Sequence, residues 1–499
     1  MANSVEVDRM NHPERRLGAR SLGRLLGDWR PPDGRGLAGE LTERIRLLLL
    51  DGRLPLQTRL PAERELAGAL EVSRTTVASA YDGLREAGLL HSRRGAGSWT
   101  RLPPDQPGST MSSPFSPHGD QTLFDLAHAA LPAPSEPLRR AAAAAVHDLD
   151  AHLGGHGYDL LGLPVLRAAI AARFTARGVP TSADQVLVTA GAQHAIGLVL
   201  LALAGPGGRV LVEHPTYPNA LDAIRARGGR PVPVPLGPGP DGTGSWDLDA
   251  VTAAVRDAAP RLAYLIPDFQ NPTGAVLDDP GRERLVDLAR RTGTALLVDE
   301  TLTELSLRGP TPRPVAALAA DSPLLLTVGS VAKVFWGGLR VGWIRTSAAM
   351  VRRLAALRAS VDLGGPVLEH LVVARLMPEL EQITATRRTE LAAARDHLLG
   401  RLGETFPGWR PSRPGGGLSL WVDLGAPVSS RLTMAARRHG VLLAAGPRFG
   451  VDGAFERYLR LPFTLRRDRT DVALERLATA WRQLDHADPV IDAEPVAVA

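Results

Sequence analysis

The sequence predicts a multidomain chain: a small α+β module near the N-terminus, followed by a much larger α/β domain. Three observations carry this. Residues 35 to 102 read as short helices closed by a hairpin. Residues 103 to 120 hold Pro103, Pro104, Pro107, Pro114 and Pro117 among Gly, Ser and Asp, the composition of an extended linker. From about residue 122 to 485, apolar runs alternate with helical stretches. The runs at 186–188, 209–212, 262–266, 295–298 and 324–328 suit buried parallel strands. The chain therefore divides into a tail (1–34), the small module (35–102), a linker (103–121), the large domain (122–485) and a C-terminal tail (486–499) expected to fray.

Composition narrows the function. At 499 residues and 44% hydrophobic content the chain can bury a real core. No run of about 18 apolar residues exists to span a membrane. Residues 1 to 20 are polar and charged, without the apolar centre of a signal peptide. The absence of cysteine excludes disulfides, thiolate metal sites and cysteine nucleophiles, and fits a cytoplasmic protein. No metal site is expected.

In the small module, Leu41 to Leu50 is apolar at helical spacing. Pro61 suits a first helical turn, with Glu63 and Glu65 near the positive end of that helix. Glu71 and Val72 read as a tight turn, and Ser73 as the cap of a second helix opening with Arg74, Thr75 and Thr76. Helix, short turn, helix is the geometry that lays a second helix in the major groove. Its first turn carries donors suited to base edges and phosphates. Residues 91 to 100 read as strand, Gly-bearing turn, strand, with Arg93 and Arg94 at the tip. Residues 20 to 101 carry 14 Arg against 10 acidic residues, so most of the chain's +5 charge lies in this module.

The large domain contains the only lysine. Of 58 Lys and Arg residues, 57 are arginine and one is Lys333. Arginine replaces lysine wherever charge and reach suffice, but a guanidinium forms no Schiff base. A lysine surviving by chance would fall on that position about once in 500. Lys333 follows Ser330 by three residues and precedes Arg340 by seven. Upstream, Thr189-Ala-Gly-Ala-Gln-His joins a strand to a helix and offers backbone N–H groups to an anion. Tyr217 offers a flat face for stacking. Asn271 in Gln270-Asn-Pro-Thr-Gly can donate to a phenolate, and Asp299, just past an apolar strand, can hold a pyridine nitrogen protonated.

The small module closely resembles the winged helix-turn-helix of the GntR family, in Leu60-Pro-Ala-Glu-Arg-Glu-Leu-Ala, Val72-Ser-Arg-Thr-Thr-Val, Gly88-Leu-Leu and Arg94-Gly-Ala-Gly-Ser. The resemblance implies a double-stranded DNA operator contacted by Arg64, Ser73, Arg74, Thr75, Thr76, Arg94 and Gly95. Residues 122 to 485, including Gly157-Tyr-Asp-Leu-Leu-Gly-Leu-Pro, resemble the fold-type-I aminotransferases, the PLP-dependent transferase fold with large and small subdomains. That resemblance implies pyridoxal 5'-phosphate held through a Schiff base at Lys333. Asp299 would pair the ring nitrogen, Asn271 reach the ring oxygen and Tyr217 stack on the ring. Ala192, Gln193, Ser330 and Arg340 would hold the phosphate, with Tyr158 reaching it from a second subunit of a homodimer. Arg460 would grip a substrate carboxylate.

Two departures stand out. Thr301 and Leu302 occupy the positions where that fold usually places a tyrosine, and Ala332 stands where serine often precedes the lysine. Both fused parts in one chain resemble the MocR-type transcription regulators. The resemblance implies a regulator sensing pyridoxal phosphate or an amino-acid-like effector. An active aminotransferase with a fused DNA-binding module stays open, as does a GntR repressor whose large domain only dimerises.

Overall fold

The structure is a computed structural model that describes residues 17–27, 29–30, 36–50, 54, 58–93, 97–101, 123–451 and 454–485. The linker 103–121 and the tail 486–499 lie outside the described residues, as do Arg94 and Gly95. The chain divides into two compact units between Asp120 and Gln121.

The first unit contains α1 (Ala19–Leu26), α2 (Leu37–Leu50), α3 (Glu63–Leu70), α4 (Arg74–Glu86), β1 (Leu90–Arg93) and β2 (Gly97–Thr100). Helix α1 precedes the module boundary that the sequence suggests. Its Leu22 and Leu26 are nevertheless buried in the unit's core beside Leu41, Ile45, Leu66 and Leu84. Glu71 takes the left-handed conformation, φ 51°, and turns the chain between α3 and α4. Ser73 Oγ accepts from the Thr76 N–H at 3.0 Å, the expected cap. Pro61 lies outside α3. Its carbonyl accepts from the buried Tyr81 hydroxyl at 2.9 Å and fastens the α3 entrance to α4. Strands β1 and β2 pair antiparallel from Leu90↔Thr100 to Arg93↔Gly97.

The second unit begins with β3 (Phe124–Leu126), α5 (Ser135–Asp148) and α6 (Pro164–Ala176), then β4 (Val186–Thr189), α7 (Ala192–Leu203), β5 (Arg209–His214), α8 (Pro218–Ala226) and β6 (Arg230–Pro235). A short hairpin, β7 (Gly237–Pro238) and β8 (Gly244–Ser245), leads to β9 (Leu262–Leu265), β10 (Ala295–Asp299), β11 (Leu325–Ser330) and β12 (Gly342–Arg345). The last strands are β13 (Arg410–Pro411), β14 (Ser419–Asp423), β15 (Val441–Ala445) and β16 (Tyr458–Pro462).

A seven-stranded sheet runs β4-β12-β11-β10-β9-β5-β6, and a five-stranded sheet runs β13-β14-β16-β15-β3. The five apolar runs of the sequence are all strands of the larger sheet. Strand β12 is antiparallel to both neighbours, and the remaining pairs are parallel. Strand β6 reads Arg-Pro-Val-Pro-Val-Pro and stands at the edge, where proline's missing N–H costs no ladder bond. Each face of the sheet is covered by its own apolar core. One holds Leu296, Val298, Leu325 and α6, the other Leu297, Val328, Tyr264 and α7.

A buried ion pair fixes the loops at the ends of β9 and β10. Arg282 and Asp268 pair with side chains 2% and 0% exposed. Arg282 also donates to the Leu277 and Arg313 carbonyls at 3.0 and 2.9 Å. Thr303 Oγ1 donates to the other Asp268 oxygen at 2.6 Å. Removing one partner strands a charge, so Arg282→Ala is expected to cost about 3–5 kcal/mol. Chemical denaturation of the full chain measures this. A midpoint matching the unmodified chain would show that the pair does not brace these loops.

Candidate functional site

Five of the predicted site residues of the large unit lie where strands of the larger sheet end, the place where open α/β sheets bind ligands. Ala192 follows β4, Tyr217 follows β5, Asn271 follows β9, Asp299 ends β10 and Ser330 ends β11.

The turn into α7 is a backbone cradle. Gly191 has φ 94°, which disfavours any side chain there. A Cβ on Gly191 would also lie 2.9 Å from the Arg340 guanidinium. A Cβ on Gly342 would lie 2.8 Å from the Ala192 nitrogen. Both glycines thus let β12 and Arg340 close on the first turn of α7, whose leading N–H groups have no partner within the helix. Arg340 donates to the Ala190 carbonyl at 2.8 Å. Gln193 Nε2 donates to the Asn219 carbonyl at 2.9 Å, while its Oε1 is buried without a partner. Ser330 Oγ donates to the Val341 carbonyl at 3.1 Å and accepts from the Ala332 N–H at 3.2 Å.

Asp299 is 4% exposed. Its Oδ1 accepts from the Thr301 N–H at 3.0 Å, and its Oδ2 accepts from the Tyr264 hydroxyl at 2.7 Å. Burial raises its pKa; the bonds from Thr301 and Tyr264 and the charge of Lys333 oppose that rise. The Lys333 amine donates to the Ala129 carbonyl at 2.7 Å. Burial, together with the nearby Arg460 charge, lowers this amine to about 8, while Asp299 pulls the other way. A neutral amine is the nucleophilic form.

Arg460, on β16, is 7% exposed. It donates to Asn271 Oδ1 at 3.2 Å and to the Ala127 carbonyl, and lies 4.9 Å over the Phe449 ring. Burial lowers it to about 10, so it remains charged near neutrality. Its Nε is buried without a partner. Asn219 Nδ2 donates to the Tyr217 hydroxyl at 3.0 Å. Burial raises the Tyr217 phenol, and Asp299 adds to the effect.

These residues suit pyridoxal phosphate. The cradle offers N–H groups and an arginine to a phosphate, Asp299 a buried carboxylate to a ring nitrogen, and Lys333 an amine to an aldehyde. Tyr158 stands apart: it is 67% exposed and stacks on His156. Tyr264 was not singled out in the sequence. Its signal was a hydroxyl inside an otherwise apolar parallel strand, since a buried phenol needs a partner. Behind the Lys333 segment a cavity of about 40 Å³ reaches Glu300, Thr301, Thr327 and Trp343, on the α6 side of the sheet. That is room for water rather than for a cofactor.

In the first unit Arg64, Ser73, Arg74 and Thr75 are exposed, and Thr76 is half-buried. Ser73 Oγ also bonds the Thr75 and Thr76 hydroxyls, each at 2.7 Å. Arg74 Nε lies 3.4 Å from Glu63 Oε2, a long and exposed pair.

The family described as aminotransferase class I and II matches residues 123–477. The chain belongs to that family. Its residues 37–99 match bacterial regulatory proteins of the gntR family, so this aminotransferase-family chain has MocR-type architecture. It is 32% identical to 2-aminoadipate transaminase of Thermus thermophilus over 62% of the chain and 79% of the relative. It is 25% identical to the uncharacterized HTH-type transcriptional regulator YisV of Bacillus subtilis, covering 88% of the chain and 95% of the relative. A crystal structure of LysN, the alpha-aminoadipate aminotransferase of Thermus thermophilus complexed with N-(5'-phosphopyridoxyl)-L-leucine, superposes with TM-score 0.67 at 28% identity. That match covers 74% of this chain and 94% of the other. The fold of this aminotransferase-family chain is therefore the pyridoxal-phosphate-dependent one.

The Lys333 environment makes a pH prediction. Acylation of this amine by a small reagent should rise with pH and reach half its maximum near 8, the pH at which the amine loses its proton. An ordinary lysine would titrate near 10.4. Peptide mapping after timed labelling reads the rate, and a midpoint near 10 would contradict the buried, cation-flanked amine.

Proposed function

We propose that this protein is a DNA-binding transcription regulator whose large domain senses pyridoxal phosphate or an amino-acid-like effector at Lys333. The observation carrying the reading is the retention of one lysine, at the amine position beside Asp299. When bound, pyridoxal phosphate supplies an aldehyde carbon open to an amine and a ring that withdraws electrons.

The chain's own groups would act as follows. The α7 cradle and Arg340 hold the phosphate, with Ser330 beside them. Asp299 keeps the proton at the ring nitrogen, Asn271 reaches the ring oxygen and Tyr217 covers the ring face. Lys333 Nζ is the covalent attachment. Arg460 presents a buried guanidinium to a carboxylate, which makes amino acids the first effectors to screen. Tyr158 belongs to the corresponding site of a second copy, in a homodimer. In the first unit Arg64, Arg74, Thr75 and Thr76 meet operator DNA, and the resemblance adds Arg94 and Gly95 to that contact. The protein acts in the cytoplasm.

An effector shifts operator affinity only through its different affinity for the two states of the protein. Thr301 and Leu302 leave the ring oxygen without a tyrosine partner, which favours an effector that dwells over one that turns over. A working aminotransferase is the second reading. It is favoured by the identity with 2-aminoadipate transaminase and by Arg460 lying beside Asn271.

Operator binding by the full chain, with and without pyridoxal phosphate and amino acids, tests this. The cofactor should change operator affinity in the unmodified chain and leave it unchanged in Lys333→Ala. Arg74→Ala should cost about 1–3 kcal/mol of operator binding if it reads a base. Operator affinity indifferent to the cofactor would contradict the sensing role. Transamination at about 10 per second, the enzyme median, would put the enzyme first.

A further inference from the structure

We propose that Tyr264 is a positioning residue for Asp299: its phenol fixes the carboxylate that faces the ring nitrogen of pyridoxal phosphate. This rests on the cofactor site described above.

The geometry follows from strand register. Strands β9 and β10 run parallel with Tyr264 opposite Leu297, so Asp299 lies two residues further along and on the same face. A tyrosine side chain spans that step. Tyr264 is 1% exposed and packed in the core that holds Leu297, Val328 and Val212. Its hydroxyl donates to Asp299 Oδ2 at 2.7 Å, the length of a strong bond to a charged acceptor. The Thr301 N–H holds Oδ1 at 3.0 Å. Each oxygen thus has its own fixed donor, and rotating the carboxylate breaks both bonds.

The acceptor matters as much as the distance. Tyr81, also buried, satisfies its hydroxyl with the Pro61 carbonyl, the ordinary solution for a core tyrosine. Tyr264 instead meets a buried carboxylate. Burial pushes Asp299 towards its protonated form, and the bond from Tyr264 opposes this. A carboxyl that took up its own proton would hold a ring nitrogen less strongly. Glu213 and Tyr217 also face this pair, and neither supplies a positive charge to keep Asp299 ionised. Lys333 is the cation acting on it.

The test is a double-mutant cycle on pyridoxal phosphate binding by the full chain, with Tyr264→Phe and Asp299→Asn singly and together. Phenylalanine keeps the ring, and circular dichroism checks folding. In the unmodified background Tyr264→Phe should weaken binding about tenfold, equivalent to about 1.4 kcal/mol. In the Asp299→Asn background it should weaken binding less than twofold. The pH midpoint of the bound cofactor's visible absorbance should also move by about one unit in Tyr264→Phe. Equal weakening in both backgrounds, or an unmoved midpoint, would make Tyr264 a packing residue and overturn the proposal. Failure of the unmodified chain to bind pyridoxal phosphate would overturn the cofactor reading with it.

Discussion

The site depends on a carboxylate and an amine kept together out of water. Asp299 closes β10, and Lys333 follows the neighbouring β11 by three residues. Burial opposes the charge on each: it raises the pKa of the acid and lowers that of the base. Their mutual attraction and the donors on Asp299 restrain that tendency. The surrounding sheet makes this arrangement possible. Parallel strands packed on both faces carry the two groups to one edge, while the ion pair of Arg282 and Asp268 anchors the loops that leave it.

Around that pair the fold separates tasks by backbone and side chain. The proposed phosphate site is a backbone turn, which Gly191 and Gly342 allow Arg340 and β12 to approach closely. Arg460, the group proposed to meet a carboxylate, is brought from β16 of the smaller sheet and seated on Phe449. Arg460 lowers the Lys333 amine, so an anion bound at Arg460 would relieve part of that effect and raise the lysine's proton affinity. If a carboxylate binds there as proposed, its binding and the protonation of Lys333 would be linked.

Much of this was legible in the sequence because the informative residues are local. The five apolar runs appear as strands. Ala192, Tyr217, Asn271, Asp299 and Lys333 each lie at a strand end or in the segment that follows one, while Arg340 precedes β12 and Arg460 lies within β16. Ser73 caps its helix as its position suggests. Less legible features depend on pairing between distant segments. Strand β12 is short and mixed in character, and only its neighbours make it the antiparallel member of the sheet. The contact between Tyr264 and Asp299 needs the register of β9 against β10. Leu22 and Leu26 sit among arginine and glycine, so their burial is visible only once α3 packs beside them. The carbonyls of Ala127 and Ala129, which receive Arg460 and Lys333, leave no mark in a sequence at all.

The central claim is that Lys333 carries the cofactor. Incubation of the full chain with pyridoxal phosphate, borohydride reduction and peptide mass mapping tests it most directly. The account predicts one stoichiometric adduct, located on Lys333, and its loss in Lys333→Ala. An adduct of equal yield in that variant, or none in the unmodified chain, would contradict it.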